Sequence, residues 1–107
     1  MFTRVVEVNA KPGKAKELTR IVNEKIMTIL KNQPGFLDEL VLLSEENSDQ
    51  VLALSFWNNR DQAENYHRQH FGEITKLLQP LSEGPPKVRV FNVEQSTVHE
   101  IVAGKAA

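Results

Sequence analysis

Apolar and polar positions change their spacing along the chain, and these changes predict a succession of strands and helices. Residues 2–9 are rich in β-branched side chains and predict a first strand. From Ala15 onward the apolar positions recur at helical spacing between lysines and glutamates, which predicts an amphipathic helix ending at Pro34-Gly35. Residues 36–44 and 51–57 predict two more strands, joined as an antiparallel hairpin by a polar connection.

The second half of the chain predicts another helix and a last strand. Asn59, with Gln62 three residues later, is a candidate helix N-cap. The helix that follows places aromatic and aliphatic side chains on one face, with Gly72 as a point where it divides into two shorter helices. Residues 87–94 predict a fourth strand. The order β-α-β-β-α-β predicts a ferredoxin-like α+β fold, with both helices on one face of a four-stranded antiparallel sheet.

The predicted hairpin is apolar on both of its faces. Residues 40–43 and 51–54 carry consecutive aliphatic side chains, whereas a strand with one wet face alternates apolar and polar residues. Two helices cover only one face, so the other is an apolar interaction surface. This predicts a homodimer in which two copies pack sheet to sheet. The alternative is that the C-terminal tail, 95–107, covers the strand ends; packing of this tail on the dimer partner is a further option.

Length and charge narrow the classes of function. A chain of 107 residues is expected to form a single domain, 1–107. The net charge is −1 with both signs interleaved, so we predict no nucleic-acid partner. The chain has no cysteine, which excludes disulfides and thiolate chemistry. The N-terminus lacks the pattern of a signal peptide and no apolar run is long enough to span a bilayer, so we predict a cytoplasmic protein without membrane association.

Six short stretches match a known protein family in order and spacing. They are Lys11-Pro12-Gly13-Lys14, Pro34-Gly35-Phe36-Leu37, Leu54-Ser55-Phe56-Trp57-Asn58-Asn59, Ala63–Tyr66, His70-Phe71 and Gly84-Pro85-Pro86-Lys87. In these stretches the sequence resembles the antibiotic biosynthesis monooxygenase (ABM) family. The resemblance implies a dimeric α+β barrel. It also implies a range of activities, because the family includes cofactor-independent oxygenases of quinols and polycyclic phenols, haem-degrading enzymes and proteins without known activity.

The chain departs from the family's pattern at several positions. Haem-degrading members have an asparagine on the first strand, a tryptophan in the second helix and a histidine later in that helix. Val6, Tyr66 and residues 74–76 fall near these positions here, which disfavours haem degradation. The phenol-oxidising members resemble this chain better, but Ala63 and Leu77 fall near the tyrosine and arginine that assist catalysis there.

Trp57, His67 and His70 are the first candidates for chemistry on an aromatic substrate. Trp57 ends the third strand and offers a large flat surface with one N–H donor, and the resemblance implies a place in the pocket wall. A histidine titrates near neutrality and can accept a phenolic proton before O₂ attacks the ring. We take Trp57 and His70 as the candidate catalytic residues and His67 as substrate-binding. The alternatives are core packing for the tryptophan and half-buried polar caps for the histidines.

Four other residues are candidates for substrate binding. Tyr66 and Phe71 flank the same face of the second helix, although core packing is the simpler interpretation. Asn9 ends the first strand and offers an amide donor, with turn formation as the alternative. Arg89 on the last strand is the fourth candidate; it and Asn92 lie on opposite faces, so at most one of the two points inward.

Two hypotheses about function follow. The first is a cofactor-independent monooxygenase that acts on a small aromatic phenol or quinol-like substrate. The second is a non-catalytic dimeric domain that binds a small ligand. We expect no cofactor in either case. We also expect no metal, because His67 and His70 lack a third ligand within sequence reach.

Overall fold

The computed structural model of the chain describes residues 1–101, and its elements follow the predicted order. The first helical stretch is continuous, but its middle turn is π-helical. The elements are β1 (Phe2–Asn9), α1 (Ala15–Ile21), a π-helical segment (Val22–Ile26), α2 (Met27–Leu30), β2 (Phe36–Leu43), β3 (Gln50–Trp57), α3 (Arg60–Leu78), a 3₁₀ turn (Gln79–Leu81) and β4 (Lys87–Asn92).

The second helix confirms one expectation and corrects another. The Asn59 side chain accepts a hydrogen bond of 3.0 Å from the Gln62 backbone N–H, as the N-cap pattern predicts. The expected break at Gly72 is wrong, because α3 runs through that position without interruption. Gly72 is exposed and costs the helix only about 1 kcal/mol relative to alanine, which the buried face on either side of it offsets. The last strand ends at Asn92, two residues before the predicted boundary.

The four strands form one antiparallel sheet in the order β2-β3-β1-β4, which is the ferredoxin-like arrangement. The helical stretch 15–30, called the first layer below, and α3 both pack on one face of the sheet, which we call the inner face. Leu18 and Leu30 from the first layer and Ile74 from α3 are buried against it. Because side chains alternate along a strand, Arg4 and Val8 point to this inner face while Val5 points away from it.

The outer face of the sheet, on the side away from the helices, is apolar and largely uncovered. Leu40 and Leu42 are each 46% exposed and Phe91 is 48% exposed. The described part of the C-terminal tail touches this face at one end, where the His99 ring lies 5.6 Å from the Phe56 ring between centroids. Residues 102–107 of the tail lie outside the described part of the chain. The tail therefore meets one end of an otherwise open apolar surface, and the sheet-to-sheet dimer stays a prediction.

Candidate functional site

A small cavity lies between the helical layers and the inner face of the sheet. Its volume is about 40 Å³ and its walls are mostly aliphatic, including Leu18, Val22 and Ile26 on the helical side. This volume has room for two or three water molecules, but not for an aromatic ring. The polar groups in its lining come from Arg4, Glu39, Ser55 and Tyr66.

Three of these polar residues form a row across the sheet. Arg4 on β1 lies directly opposite Ser55 on β3, and Ser55 lies directly opposite Glu39 on β2. Neighbouring strands are about 4.8 Å apart, so the backbones of Arg4 and Glu39 are separated by about 10 Å. Directly paired residues share a face, and all three side chains therefore reach the cavity from the sheet side. Tyr66 reaches it from α3.

Arg4 is a buried cation held by the second helix. It is 3% exposed, and its Nη2 lies 2.8 Å from Nδ1 of His67. Its guanidinium carbon lies 5.3 Å from the ring centroids of both Tyr66 and Phe71. A guanidinium can only donate, so Nδ1 of His67 accepts and His67 is the neutral tautomer with its proton on Nε2. Burial and the Arg4 charge both lower the pKa of His67, which agrees with this neutral form.

Glu39 is the titratable acid of the cavity. Its Oε1 is buried and has no hydrogen-bond partner among the described residues. Burial, and then the neighbouring Asp38 carboxylate, raise the pKa of Glu39 from 4.5 to about 7. Both protonation states are therefore populated near neutrality, which suits proton transfer to or from a ligand.

Tyr66 forms an aromatic wall of the cavity. It is buried, and burial raises the pKa of its phenol, against the opposing charge of Arg4. The hydroxyl therefore stays protonated at neutral pH and is available as a donor. The Tyr66 ring packs 5.0 Å from the Trp57 ring and 5.9 Å from the His70 ring, measured between centroids.

Trp57 lies behind Tyr66 and does not line the cavity. It is fully buried, and its indole Nε1–H donates a 2.9 Å hydrogen bond to Oγ of Ser55. Its other large contact is an edge-on packing against Phe36 with centroids 5.6 Å apart. This geometry corresponds to the core-packing alternative, because both the flat face and the N–H are occupied within the fold.

The other helix residues divide between the cavity and its surroundings. Phe71 lines the cavity and stacks on His67 with centroids 4.6 Å apart. His70 is half-buried beside Tyr66, outside the cavity lining, with Nδ1 3.7 Å from a Glu73 carboxylate oxygen. Like Glu39, His70 has a buried side-chain atom, Nδ1, without a hydrogen-bond partner in the described part of the chain.

Asn9 and Arg89 do not join the site. Arg89 pairs with Val5 and therefore projects from the outer face of the sheet. Asn9 is at the far end of β1, where its backbone carbonyl accepts a 2.7 Å hydrogen bond from the Glu83 N–H. Residues 1–101 also contain no cluster of three histidine or carboxylate side chains arranged to hold a metal.

Arg4, Glu39 and Ser55 are the polar residues of the cavity that the sequence analysis missed. The two-residue period of side chains along β1 was a usable signal, because it puts Arg4 on the same face as Phe2, Val6 and Val8. A charged residue at such a position is unusual and points to a partner or a function. For Glu39 the signal was weaker, because a bulge between Phe36 and Asp38 shifts the register of β2.

A wider groove lies between α3 and the β4 edge of the sheet. Its volume is about 270 Å³, and its walls include Phe2, His67, Arg68 and Val90. Arg4 lines both this groove and the smaller cavity, so its side chain forms part of the boundary between them. No helix within residues 1–101 has the length and apolar character that crossing a membrane requires.

Comparisons with known proteins agree with this architecture. No curated protein matches the chain. ActVA-Orf6, a monooxygenase of Streptomyces coelicolor solved with the ligand nanaomycin D, has a TM-score of 0.77 at 20% identity, covering 89% of this chain and 88% of that one. SnoaB, a cofactor-independent oxygenase from Streptomyces nogalater, has a TM-score of 0.74 at 18% identity, covering 90% and 95%. A conserved protein from Methanosarcina mazei Go1 has a TM-score of 0.69 at 25% identity, covering 85% and 91%.

The family comparison is more specific than the likeness of folds. The sequence pattern of the family described as antibiotic biosynthesis monooxygenase matches residues 1–75. This range includes β1, the first helical layer, the β2–β3 hairpin and most of α3, which together carry every polar residue of the cavity. The chain therefore belongs to the antibiotic biosynthesis monooxygenase family.

Proposed function

We propose that this protein is a cofactor-independent monooxygenase that acts on a small aromatic phenol or quinol bound between its helices and its sheet. The observation that carries the proposal is the aliphatic cavity with an aromatic wall at Tyr66 and a titratable carboxyl group at Glu39. Membership of the family supports it, as do a monooxygenase and a cofactor-independent oxygenase among the structural neighbours.

The proposed chemistry needs only a proton acceptor and a water-poor site. Removal of the phenolic proton leaves its electron pair on the ring, and the electron-rich ring carbon then reacts with O₂. In the balanced reaction a phenol and O₂ give a quinone and water. One oxygen atom enters the quinone, and the other is reduced to water by two electrons that the substrate itself supplies. Burial in an apolar cavity protects the reactive ring from competing reactions with solvent.

Two side chains are proposed as proton acceptors. Glu39 lines the cavity and has a free carboxylate oxygen. His70, the histidine that the sequence analysis selected, lies on the far side of the Tyr66 ring and acts only if the substrate or Tyr66 shifts to expose it. Glu39 is the better placed of the two. Trp57 is proposed as the rigid support of the Tyr66 wall.

Binding of a ring requires the cavity to expand beyond 40 Å³. The helical wall contains the π-helical segment Val22–Ile26, and both of its terminal residues line the cavity. Segments of π-helix recur at functional sites, where their irregular hydrogen bonding permits small shifts of the chain. We propose that the ring is admitted by an outward shift of this segment.

We also propose that the outer face of the sheet joins two copies of the chain. Leu40, Leu42 and Phe91 form an exposed apolar surface that a second copy can bury about a two-fold axis. Glu7 and Lys87 are paired neighbours at its margin, so each copy offers both charge signs to the other. The catalytic proposal does not depend on this contact, because each copy carries its own cavity.

Oxygen uptake with a panel of hydroquinones and naphthols tests the catalytic proposal. We expect turnover by the wild type, a loss of at least about tenfold in Glu39→Gln, and no change in the control Glu45→Gln. Glu45 lies in the exposed connection between β2 and β3. Turnover of His70→Ala equal to that of the wild type removes His70 from the mechanism.

Two results would contradict the catalytic proposal. One is an absence of oxygen uptake with every compound in the panel. The other is ligand-induced thermal stabilisation without oxygen consumption, which indicates the non-catalytic binding domain instead.

A further inference from the structure

The charge of Arg4 is not balanced by a carboxylate within the described residues. No aspartate or glutamate oxygen lies within 4.0 Å of the Arg4 guanidinium in residues 1–101. Its contacts are the His67 imidazole nitrogen, the faces of two aromatic rings and a side-chain hydrogen bond to the Tyr66 hydroxyl, none of which carries a negative charge at neutral pH. A buried cation without a counter-ion is costly, and proteins rarely retain one without a partner.

The surroundings of Arg4 leave room for an anionic partner. His67 fixes the guanidinium through Nη2, and Arg4 borders both the small cavity and the groove beside β4. A guanidinium carries five donors in a rigid fork, so a group held at one nitrogen still presents others to a planar oxygen anion. An anion at this point would bind to a preorganised donor, with little conformational entropy left to lose.

We propose that Arg4 is an anion-binding residue and that the aromatic ligand of the cavity carries an ionised oxygen, a carboxylate or a phenolate, against its guanidinium. This inference rests on the proposed function for the choice of an aromatic ligand and adds the acidic group to it. Glu39, at the other end of the polar row, has a free acceptor oxygen, so it suits a hydroxyl on the opposite side of the same ring.

The polarity of the row therefore defines a substrate class. A ligand placed across Ser55 meets a cation at one end and a hydrogen-bond acceptor at the other, with aliphatic side chains above and below. Hydroxylated aromatic acids and acidic hydroxyquinones present this arrangement. A neutral hydrocarbon ring leaves Arg4 without a counter-ion and the Glu39 Oε1 atom without a hydrogen-bond donor. Burying these groups in that state makes the free energy of binding less favourable.

A matched pair of ligands tests the proposal. 1-Naphthoate and 1-naphthamide have the same ring and nearly the same shape but differ in charge. Titration calorimetry at pH 8 on the wild type is expected to show naphthoate binding at least about tenfold more tightly, because a charge-assisted hydrogen bond replaces a neutral one. In Arg4→Gln this preference is expected to disappear. The control Arg20→Gln, an exposed arginine on α1 that lines neither the cavity nor the groove, is expected to keep it.

Several outcomes would overturn the proposal. They are equal affinity of the wild type for the two ligands, no binding of either, and a preference retained in Arg4→Gln. If Arg4→Gln does not fold, Arg4→Lys keeps the charge without the planar fork, and it is expected to retain a weakened preference for naphthoate. A preference that Arg4→Lys leaves at full strength contradicts the role of the guanidinium.

The failure of this proposal can be told apart from failure of the catalytic one. The titration measures binding without oxygen consumption, so an inactive protein can still show the preference for the acid. Conversely, the protein could consume oxygen with neutral phenols and bind naphthoate and naphthamide equally well. That result would support the monooxygenase proposal and contradict the anion-binding role of Arg4.

Discussion

Arg4 and Glu39 lie on the two strands that flank β3, each directly opposite Ser55, and both line the same apolar cavity. They do not form an ion pair, because the Arg4 guanidinium is directed toward His67, Tyr66 and Phe71 of α3. One is a donor and the other an acceptor, and each is a charged or titratable group in an aliphatic setting. The cavity is therefore polarised along the sheet, perpendicular to the strands.

The raised pKa of Glu39 predicts that stability falls as the pH rises. The carboxyl group has a pKa of 4.5 when unfolded and about 7 when folded, so the folded state binds the proton more tightly. The stabilisation that comes from protonated Glu39 is fully present below the unfolded pKa of 4.5. It is lost progressively as the pH rises through the folded pKa of about 7. Its upper limit is about 3 kcal/mol. Asp38 adds to the shift by repulsion.

Denaturant unfolding at pH 5 and pH 8 measures this effect. Glu39→Gln removes the titrating group, so the loss of stability between the two pH values is expected to be smaller in the variant than in the wild type. The comparison cancels the other ionisable groups, which both proteins share. An identical loss in wild type and variant would show that Glu39 titrates at its ordinary pKa.

The hydrogen bond between Arg4 and His67 predicts an unusually acidic imidazolium. Protonation of Nδ1 breaks the bond and places a second positive charge beside the guanidinium, so burial and Arg4 lower the His67 pKa below 6.5. NMR titration of the imidazole is expected to show this lowered pKa in the wild type. In Arg4→Gln the pKa is expected to rise. An unchanged pKa in that variant would mean that Arg4 does not act on His67.

Ser55 is predicted to stabilise the core through Trp57. Ser55→Ala leaves the fully buried indole N–H without its 2.9 Å acceptor, and an unpaired buried donor costs about 1–3 kcal/mol. Denaturation followed by the fluorescence of Trp57 measures the loss. Ser48→Ala, in the exposed connection after β2, serves as the control and is expected to change stability by less than about 0.5 kcal/mol. A loss no larger than that of the control would contradict the assignment.

The outer face of the sheet predicts a dimer that a charge disrupts. Leu42→Lys places an ammonium group within the exposed apolar surface, where a second copy would have to desolvate it. Sedimentation equilibrium at micromolar concentration is expected to show a dimer for the wild type and a monomer for the variant. Gln69→Lys, on the exposed side of α3, is expected to remain dimeric. A monomeric wild type would remove the dimer altogether.

The order of elements was predictable from the sequence alone, because short-range spacing determines it. The β-branched run at 2–9, the helical spacing from Ala15 and the Asn59 cap each act over a few residues, and each is confirmed. The apolar outer face was predictable for the same reason. A run of consecutive aliphatic residues places side chains on both faces of a strand, and helices on one side of the sheet cover only one of those faces. Gly72 was the local signal that misled, because packing on both sides of it keeps α3 continuous.

The site was decided by tertiary structure. Arg4, Glu39 and Tyr66 are far apart in the sequence, and only the pairing of β1, β2 and β3 and the packing of α3 bring them to one cavity. An aromatic side chain borders the cavity only if its ring face is not already covered by other core residues. Trp57 packs behind the wall because its N–H and its ring face are both taken within the core. The sequence determined which elements form, and long-range register decided which side chains meet.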